Sequence, residues 1–302
     1  MNTDKKGKEL IIAGIGEMLW DIQGDKKTFG GAPANFVCHC ANLGAKASMI
    51  SCIGNDDLGK QALSFLKSKN VNIKTVSLSA EYETGVVNVL LDENGVPSYE
   101  IKENVAWDYI PFSEETKNSA AEVDAVCFGS LSQRSTISRN SILKYLENTS
   151  PGCLRMFDIN IRQNYYSEEI ILKSLKLANA LKLNEDELPL VVEFLNLKGT
   201  QKELLRAIQQ KFDLKLAILT SGAEGALMLT ENEESFEIPP IPKEIKSTVG
   251  AGDSFTAAAV TGYMQNKPLS VINKHANAVA SFVCSQTGAV PVLPEHLKTF
   301  KH

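Results

Sequence analysis

Short apolar runs alternate along this chain with stretches of helical periodicity, and that alternation restricts the fold more than any other feature. Residues 10–15, 47–53, 123–129, 154–159 and 216–220 read as buried strands, short and almost continuously apolar. Residues 34–43, 58–69, 136–147, 168–178 and 201–212 read as helices, and two more fall near 252–265 and 270–285. Strands without an apolar/polar alternation are covered on both faces, and helices between them supply the cover. The pattern predicts an α/β fold, a doubly wound, mainly parallel sheet with helices on both faces.

One region breaks the alternation. Residues 84–91 and 96–102 are strand-like and flank Asp92-Glu93-Asn94-Gly95, a hairpin signal. Residues 20–23 and 27–30 read as a second pair of short strands. Together they predict a small β-sheet, a discontinuous lid built roughly from 17–30 and 82–108. It is set into a single domain spanning 1–302, because no Gly-, Ser- or Pro-rich linker and no repeat divides the chain.

The hydrophobic fraction of 43% and charged fraction of 22% are those of a globular protein. A net charge of −5 supplies no electrostatic reason to expect nucleic acid or an anionic membrane as partner. Cys38, Cys40, Cys52, Cys127, Cys153 and Cys284 include no CxxC pair and read as free thiols of a reducing cytosol. His39, His275, His296 and His302 make no metal-like pair with one another or with a cysteine, so no zinc site is expected. The lysines before residue 10 mimic a signal peptide, but the apolar run is short and Glu17 and Asp21 follow it. No segment approaches the apolar length of a bilayer span. A cytoplasmic protein is expected.

Two glycine-rich segments carry candidate chemistry. Gly250-Ala251-Gly252-Asp253 precedes small, helix-forming residues, so its backbone amides should lie at a helix N-terminus and form an anion site. A carboxylate there can accept a proton from an attacking hydroxyl; the bland alternative is an acid favoured by the helix dipole. Gly30-Gly31-Ala32-Pro33-Ala34-Asn35 puts a proline at a helix start and Asn35 in its first turn, with a plain strand-to-helix turn as the alternative. Gly14-Ile15-Gly16 hints at a dinucleotide fingerprint, but Leu19 stands at the third glycine and that reading is rejected. Asn160 and Arg162, two apart at a strand end, should point the same way into a cleft. Asn184 and Glu187 have the spacing of a capping box.

Together these segments resemble the ribokinase-like (PfkB) carbohydrate kinases, in the family's order and from about residue 10 to 294. Gly16-Glu17-Met18-Leu19-Trp20-Asp21 looks like the family's opening segment. Asp158-Ile159-Asn160-Ile161-Arg162 looks like its DxNxR stretch, Asn184-Glu185-Asp186-Glu187 like NxxE, and Thr220 to Gly225 like TxGxxG. Ala106-Trp107-Asp108 and Gly129-Ser130-Leu131-Ser132-Gln133-Arg134 look most like bacterial fructokinases. The resemblance implies that Asp253 is the catalytic base and that the amides of Gly250, Ala251 and Gly252 stabilise the transferring phosphoryl group. It implies a sugar held by Asp21, Gly30, Gly31, Asn35, Asn160 and Arg162. ATP would lie on Asn184, Thr220, Gly222, Gly225 and Asn277, with Glu187 arranging Mg²⁺ through water. It implies fructose as acceptor, 2-keto-3-deoxygluconate as the runner-up, and a homodimer through the lid, whose Val86, Val89 and Leu91 add apolar surface. Ser247 departs from the family's DTxGAGD pattern, where an Asp helps to bind a monovalent cation; without that charge, weak K⁺ dependence is expected.

Overall fold

The computed structural model describes residues 9–91 and 97–300. Its first half runs through β1 (Ile11–Ile15), β2 (Leu19–Gln23), β3 (Lys26–Gly30), α1 (Ala32–Asn42), β4 (Lys46–Gly54), α2 (Asp57–Ser68), β5 (Val76–Ser79), β6 (Gly85–Leu91), β7 (Pro97–Ile101) and α3 (Glu114–Glu122). The second half runs through β8 (Ala125–Phe128), α4 (Thr136–Glu147), β9 (Leu154–Asp158), α5 (Glu168–Leu177), β10 (Ala180–Asn184), α6 (Leu188–Leu195) and α7 (Gln201–Lys211). It continues with β11 (Leu216–Thr220), β12 (Ala226–Leu229), β13 (Glu234–Glu237), α8 (Ala251–Met264) and α9 (Leu269–Cys284).

Nine strands form one sheet in the order β13-β12-β11-β10-β9-β8-β1-β4-β5. Every neighbouring pair from β11 to β5 is parallel. The β11–β12 and β12–β13 pairs are antiparallel. Strand side chains alternate between faces, and the core divides accordingly. Ile12, Cys127 and Met156 pack under Phe36 of α1, Val260 of α8 and Ile272 of α9. Ala13, Phe128 and Phe157 pack under Ile142 of α4, Leu175 of α5 and Leu205 of α7. The sheet is therefore wound on both faces, as the alternation predicts. β1 lies between β4 and β8, so the chain reverses its direction of travel across the sheet there. In open α/β sheets, ligands sit outside the carboxyl ends of the strands at such a switch point.

A second sheet of four strands has the order β3-β2-β6-β7. Its outer pairs are antiparallel and its central β2–β6 pair is parallel. The expected turn at Asp92 to Gly95 lies outside the described residues. Among the described residues, all six cysteines are free, and no helix is long and apolar enough to cross a membrane.

The elements missing from the sequence reading have physical reasons for escaping it. β10 reads Ala-Leu-Lys-Leu-Asn, and a lysine is almost never fully buried unless paired. Lys182 is buried, and its partner Asp158 stands on the next strand, 24 residues away. α3 buries only Thr116 and Ala120, too little for an apolar period. β5, β12, β13 and α6 are short, and β12 and β13 form an antiparallel edge outside the α/β alternation.

Candidate active site

The two glycine-rich segments meet. Gly250 caps α8 with φ of 82°, a left-handed conformation that glycine adopts without penalty. A Cβ at that position would stand 2.5 Å from the Ala289 carbonyl oxygen. Asp253 falls in the first turn of α8. Ala251 differs from expectation, because its N–H donates to the Thr248 carbonyl at 3.2 Å. The Gly252 and Asp253 amides belong to a helical first turn, where no intrahelical acceptor exists. At α1, Gly31 has φ of 105° and its backbone passes against the Glu17 carbonyl. Asn35 in that helix donates from Nδ2 to Asp253 Oδ2 at 2.8 Å. Its own Oδ1 is buried without a partner.

Behind Asp253 lies an ion pair that the sequence reading left out. Lys182 Nζ is 3.0 Å from Asp158 Oδ1, with both side chains under 10% exposed (8% and 7%). Thr256 of α8 donates its hydroxyl to Asp158 Oδ2 at 2.8 Å. A Cβ on Gly252 would lie 3.4 Å from Lys182 Nζ, which puts the ammonium directly under the glycine loop. Burial alone would lower the Lys182 pKa, but the Asp158 and Glu187 carboxylates outweigh it and hold the pKa above its ordinary value. Asp158 was visible as a motif residue without a role; Lys182 had no local signal. Asp253 is pushed up to about 6, first by burial and then by the Asp158 charge, against the opposing pull of Asn35, Lys182 and Arg162.

On the side of the small sheet, Asp21 of β2 is partly buried and also raised to about 6, by burial, with the Arg162 guanidinium opposing. Gly30 leaves room for it, since a Cβ there would stand 2.9 Å from Asp21 Oδ2. Glu17, absent from the expected site, is fully buried and accepts a hydrogen bond from the Ser132 hydroxyl. Burial raises its pKa, and Arg162 is among the groups that pull it down. Arg162 thus bears on three carboxylates, Glu17, Asp21 and Asp253. The route to that position is not the expected one. β9 ends at Asp158 and Asn160 has φ of 49°, so no strand alternation relates Asn160 to Arg162.

On the other side of Asp253, Asn184 and Glu187 make a reciprocal box. Asn184 Oδ1 accepts the Glu187 amide at 2.9 Å, and Glu187 Oε2 accepts the Asn184 amide at 2.9 Å. Glu187 Oε1 accepts the Ile161 amide at 2.9 Å, which ties this turn to the Arg162 loop. Each carboxylate oxygen keeps a further lone pair, which suits a hydrated Mg²⁺ held through water. Thr220, Gly222 and Gly225 form the turn between β11 and β12, and Gly225 lies against the Glu237 carbonyl. Asn277 is buried beside them, donating to Asn273 Oδ1 at 2.9 Å and to the Asn273 carbonyl at 3.1 Å. Its Nδ2 also reaches the Glu237 carbonyl of β13 at 3.4 Å.

A groove of about 470 Å³ opens between Pro240 to Lys246 and the Ala278, Ser281 and Phe282 face of α9. Exposed Ile238, Ile241, Ile245 and Val249 lie along the same segment. Ser247 follows it, and its hydroxyl accepts the Val249 amide at 3.2 Å, a local turn bond made without a carboxylate.

A doubly wound sheet with a paired Asp and Asn at two helix N-termini suits a group-transfer enzyme, and the comparisons identify the family. The pattern of the pfkB family carbohydrate kinases matches residues 8–296, and the chain belongs to that family. An uncharacterized sugar kinase of Pyrococcus horikoshii is 30% identical over 299 residues, covering 92% of this chain and 91% of its own. The crystal structure of that sugar kinase in complex with ATP superposes with a TM-score of 0.79 at 28% identity, over 92% of this chain and 94% of the other. Fructokinase-2 of Zea mays is 26% identical over 311 residues, 94% of this chain and 91% of its own. A Vibrio cholerae fructokinase with fructose, ADP and calcium bound shares the fold, with a TM-score of 0.80 at 23% identity over 96% and 98% of the two chains.

Proposed function

We propose that this kinase transfers the γ-phosphoryl group of ATP to a hydroxyl of D-fructose, giving fructose 6-phosphate and ADP. The sugar oxygen attacks the γ-phosphorus, the bond from that phosphorus to the bridging oxygen breaks, and the hydroxyl proton passes to the Asp253 carboxylate. Asn35 orients that carboxylate through its 2.8 Å hydrogen bond. The Gly252 and Asp253 amides, with the positive end of α8 behind them, face the charge that builds on the phosphoryl oxygens. Asn184 and Glu187 would hold Mg²⁺ through water, where it would supply positive charge to the phosphates of ATP. The groove beside α9 and its apolar rim suit the base of the nucleotide, with Thr220, Gly222 and Gly225 nearer the phosphates. Weak K⁺ dependence goes with Ser247, and closure of the small sheet over the sugar would exclude water as a competing acceptor.

The observation that favours a neutral sugar over an anionic one is charge. The Arg162 charge opposes the upward pKa shifts of Glu17, Asp21 and Asp253. A neutral sugar offers hydroxyls that these groups accept from and donate to. A keto-acid or a phosphosugar would bring further negative charge against the same carboxylates. ADP release measured across fructose, ribose, glucose, 2-keto-3-deoxygluconate and fructose 6-phosphate tests this. Fructose is expected to show the highest kcat/KM, and a higher value for either anionic sugar would overturn the assignment.

A further inference from the structure

Ala106-Trp107-Asp108 and the segment ending in Arg134 meet at the stem of the small sheet. Arg134 Nε donates to Asp108 Oδ1 at 2.8 Å and Nη2 to Asp108 Oδ2 at 2.9 Å, a two-pronged pair with both side chains 7% exposed. Nη2 also donates to the Lys102 carbonyl at 2.7 Å, just after β7. The guanidinium carbon lies 3.9 Å from the Trp107 ring centre and 4.7 Å from that of Tyr165. One nitrogen, Nη1, is buried without an acceptor. A buried ion pair stabilises a fold no better than apolar packing of the same volume, and an orphaned donor makes it worse. The arrangement calls for a role other than stability.

That role lies in the loop after β9. Asn160 and Gln163 are both left-handed, at φ of 49° and 48°, a conformation that non-glycine residues adopt at a cost. Arg162 between them is exposed and donates to its neighbour's carbonyl, Ile161 O, at 2.9 Å. The backbone that presents Arg162 to the carboxylates therefore has to be held from outside. Tyr165 takes the Arg162 carbonyl through its amide at 3.1 Å. Its hydroxyl donates to Glu103 at 2.8 Å, while Gln163 Nε2 donates to the Tyr99 carbonyl at 2.6 Å. The loop so covers β7, an edge strand of the small sheet.

We propose that Arg134 is a positioning residue for the sugar site: stacked between Trp107 and Tyr165 and clamped on Asp108, it locks the Arg162 loop to the stem of the small sheet. Sheet position and Arg162 position then change together. The proposal rests on the sugar-site reading of Arg162 given above. Loosening the clasp withdraws the guanidinium from Asp21 and Asp253. Asp158 of β9, Lys182 of β10 and Asn35 of α1 stay in place around Asp253, so the acid limb of kcat/KM moves to higher pH.

The test uses Arg134→Lys, which keeps charge but loses the fork and the stacking, and Tyr165→Ala, a partly exposed loop position expected to fold. Tyr165→Phe keeps the stack and serves as the conservative variant. Hydrogen exchange is followed at residues 99–103 and 160–166, and kinetics at several pH values with whichever sugar the wild type phosphorylates. The expected result is lost protection in both segments, a sugar KM raised by about ten-fold or more with the ATP KM within about two-fold, and an acid limb shifted upward. Tyr165→Phe should retain most of the wild-type sugar KM. Unchanged exchange overturns the clasp. Changed exchange with an unmoved sugar KM and acid limb, or equal losses for both substrates, overturns the positioning role. If the wild type phosphorylates no sugar of the panel, the functional reading fails separately, and exchange still decides whether Arg134 holds the loop.

Discussion

At the scale of single residues, Asp253 as the proposed base combines two demands that usually conflict. A general base has to be ionised at working pH yet basic enough to take a proton. Burial and the Asp158 charge raise Asp253 to about 6, and Asn35, Lys182 and Arg162 stop the rise there. The kcat/KM of the free enzyme should therefore be flat above neutrality and fall as the pH drops through about 6. The linkage has the opposite sign for stability. A carboxyl whose folded pKa lies above its ordinary value stabilises the fold below that ordinary value, and the contribution is lost as pH rises through about 6. Asp253→Asn removes the base without removing stability, and its Oδ1 can still accept from Asn35. Its melting temperature at pH 8 is expected to equal or exceed the wild-type value, while turnover falls on the order of 10²–10⁴-fold. Near-normal turnover, or a collapse of stability, would contradict the assigned role.

At the scale of elements, Asp158 joins three of them. It ends β9, pairs with Lys182 of β10 and accepts from Thr256 of α8. The glycine loop lies on the Lys182 ammonium, so the pair sets the height of α8 against the sheet. Lys182→Met leaves the Asp158 charge buried with one hydrogen bond fewer and no cation. Breaking such a pair costs about 3–5 kcal/mol, and the unfolding midpoint in denaturant should fall accordingly. Double replacement with Asp158→Leu should recover part of the stability, because the orphaned charge is gone. Stability recovery without activity recovery is the expected pattern, since the glycine loop before Asp253 loses the ammonium on which it lies. Recovery of both would show the pair to be dispensable scaffolding.

At the scale of the whole molecule, the small sheet is the surface on which a homodimer is proposed. It packs Val87 and Ile101 against Leu19, Trp107 and Leu131 at its stem. Val86 and Val89 stay half-buried on its central strand, and Tyr99 on β7 is 55% exposed. β3 carries exposed Lys26 and Lys27, charges that discourage open-ended strand addition at that edge. A closed pairing of two small sheets would cover the apolar residues, so a homodimer is expected. Light scattering at micromolar concentration should return twice the 32.9 kDa chain mass, and a monomeric mass would refute the pairing.

What the sequence determined by itself is what local patterns encode. Apolar runs of strand length and amphipathic stretches between them specified a sheet wound on both faces, because period and burial are properties of a short window. Gly250 to Asp253 and Gly30 to Asn35 announced helix starts, because glycine placement and capping are local as well. The tertiary structure decided everything that depends on two distant segments sharing space. Asn35 reaches Asp253 across 218 positions, Lys182 becomes a buried strand residue only beside Asp158, and Glu17 enters the site from behind Ser132. Arg162 stands on a left-handed loop held by Tyr165 and Gln163, not on a strand. A charge's neighbours set its energy, and neighbours from different strands of a parallel sheet are joined by whole helices. No window short enough to read by eye contains both members of such a pair.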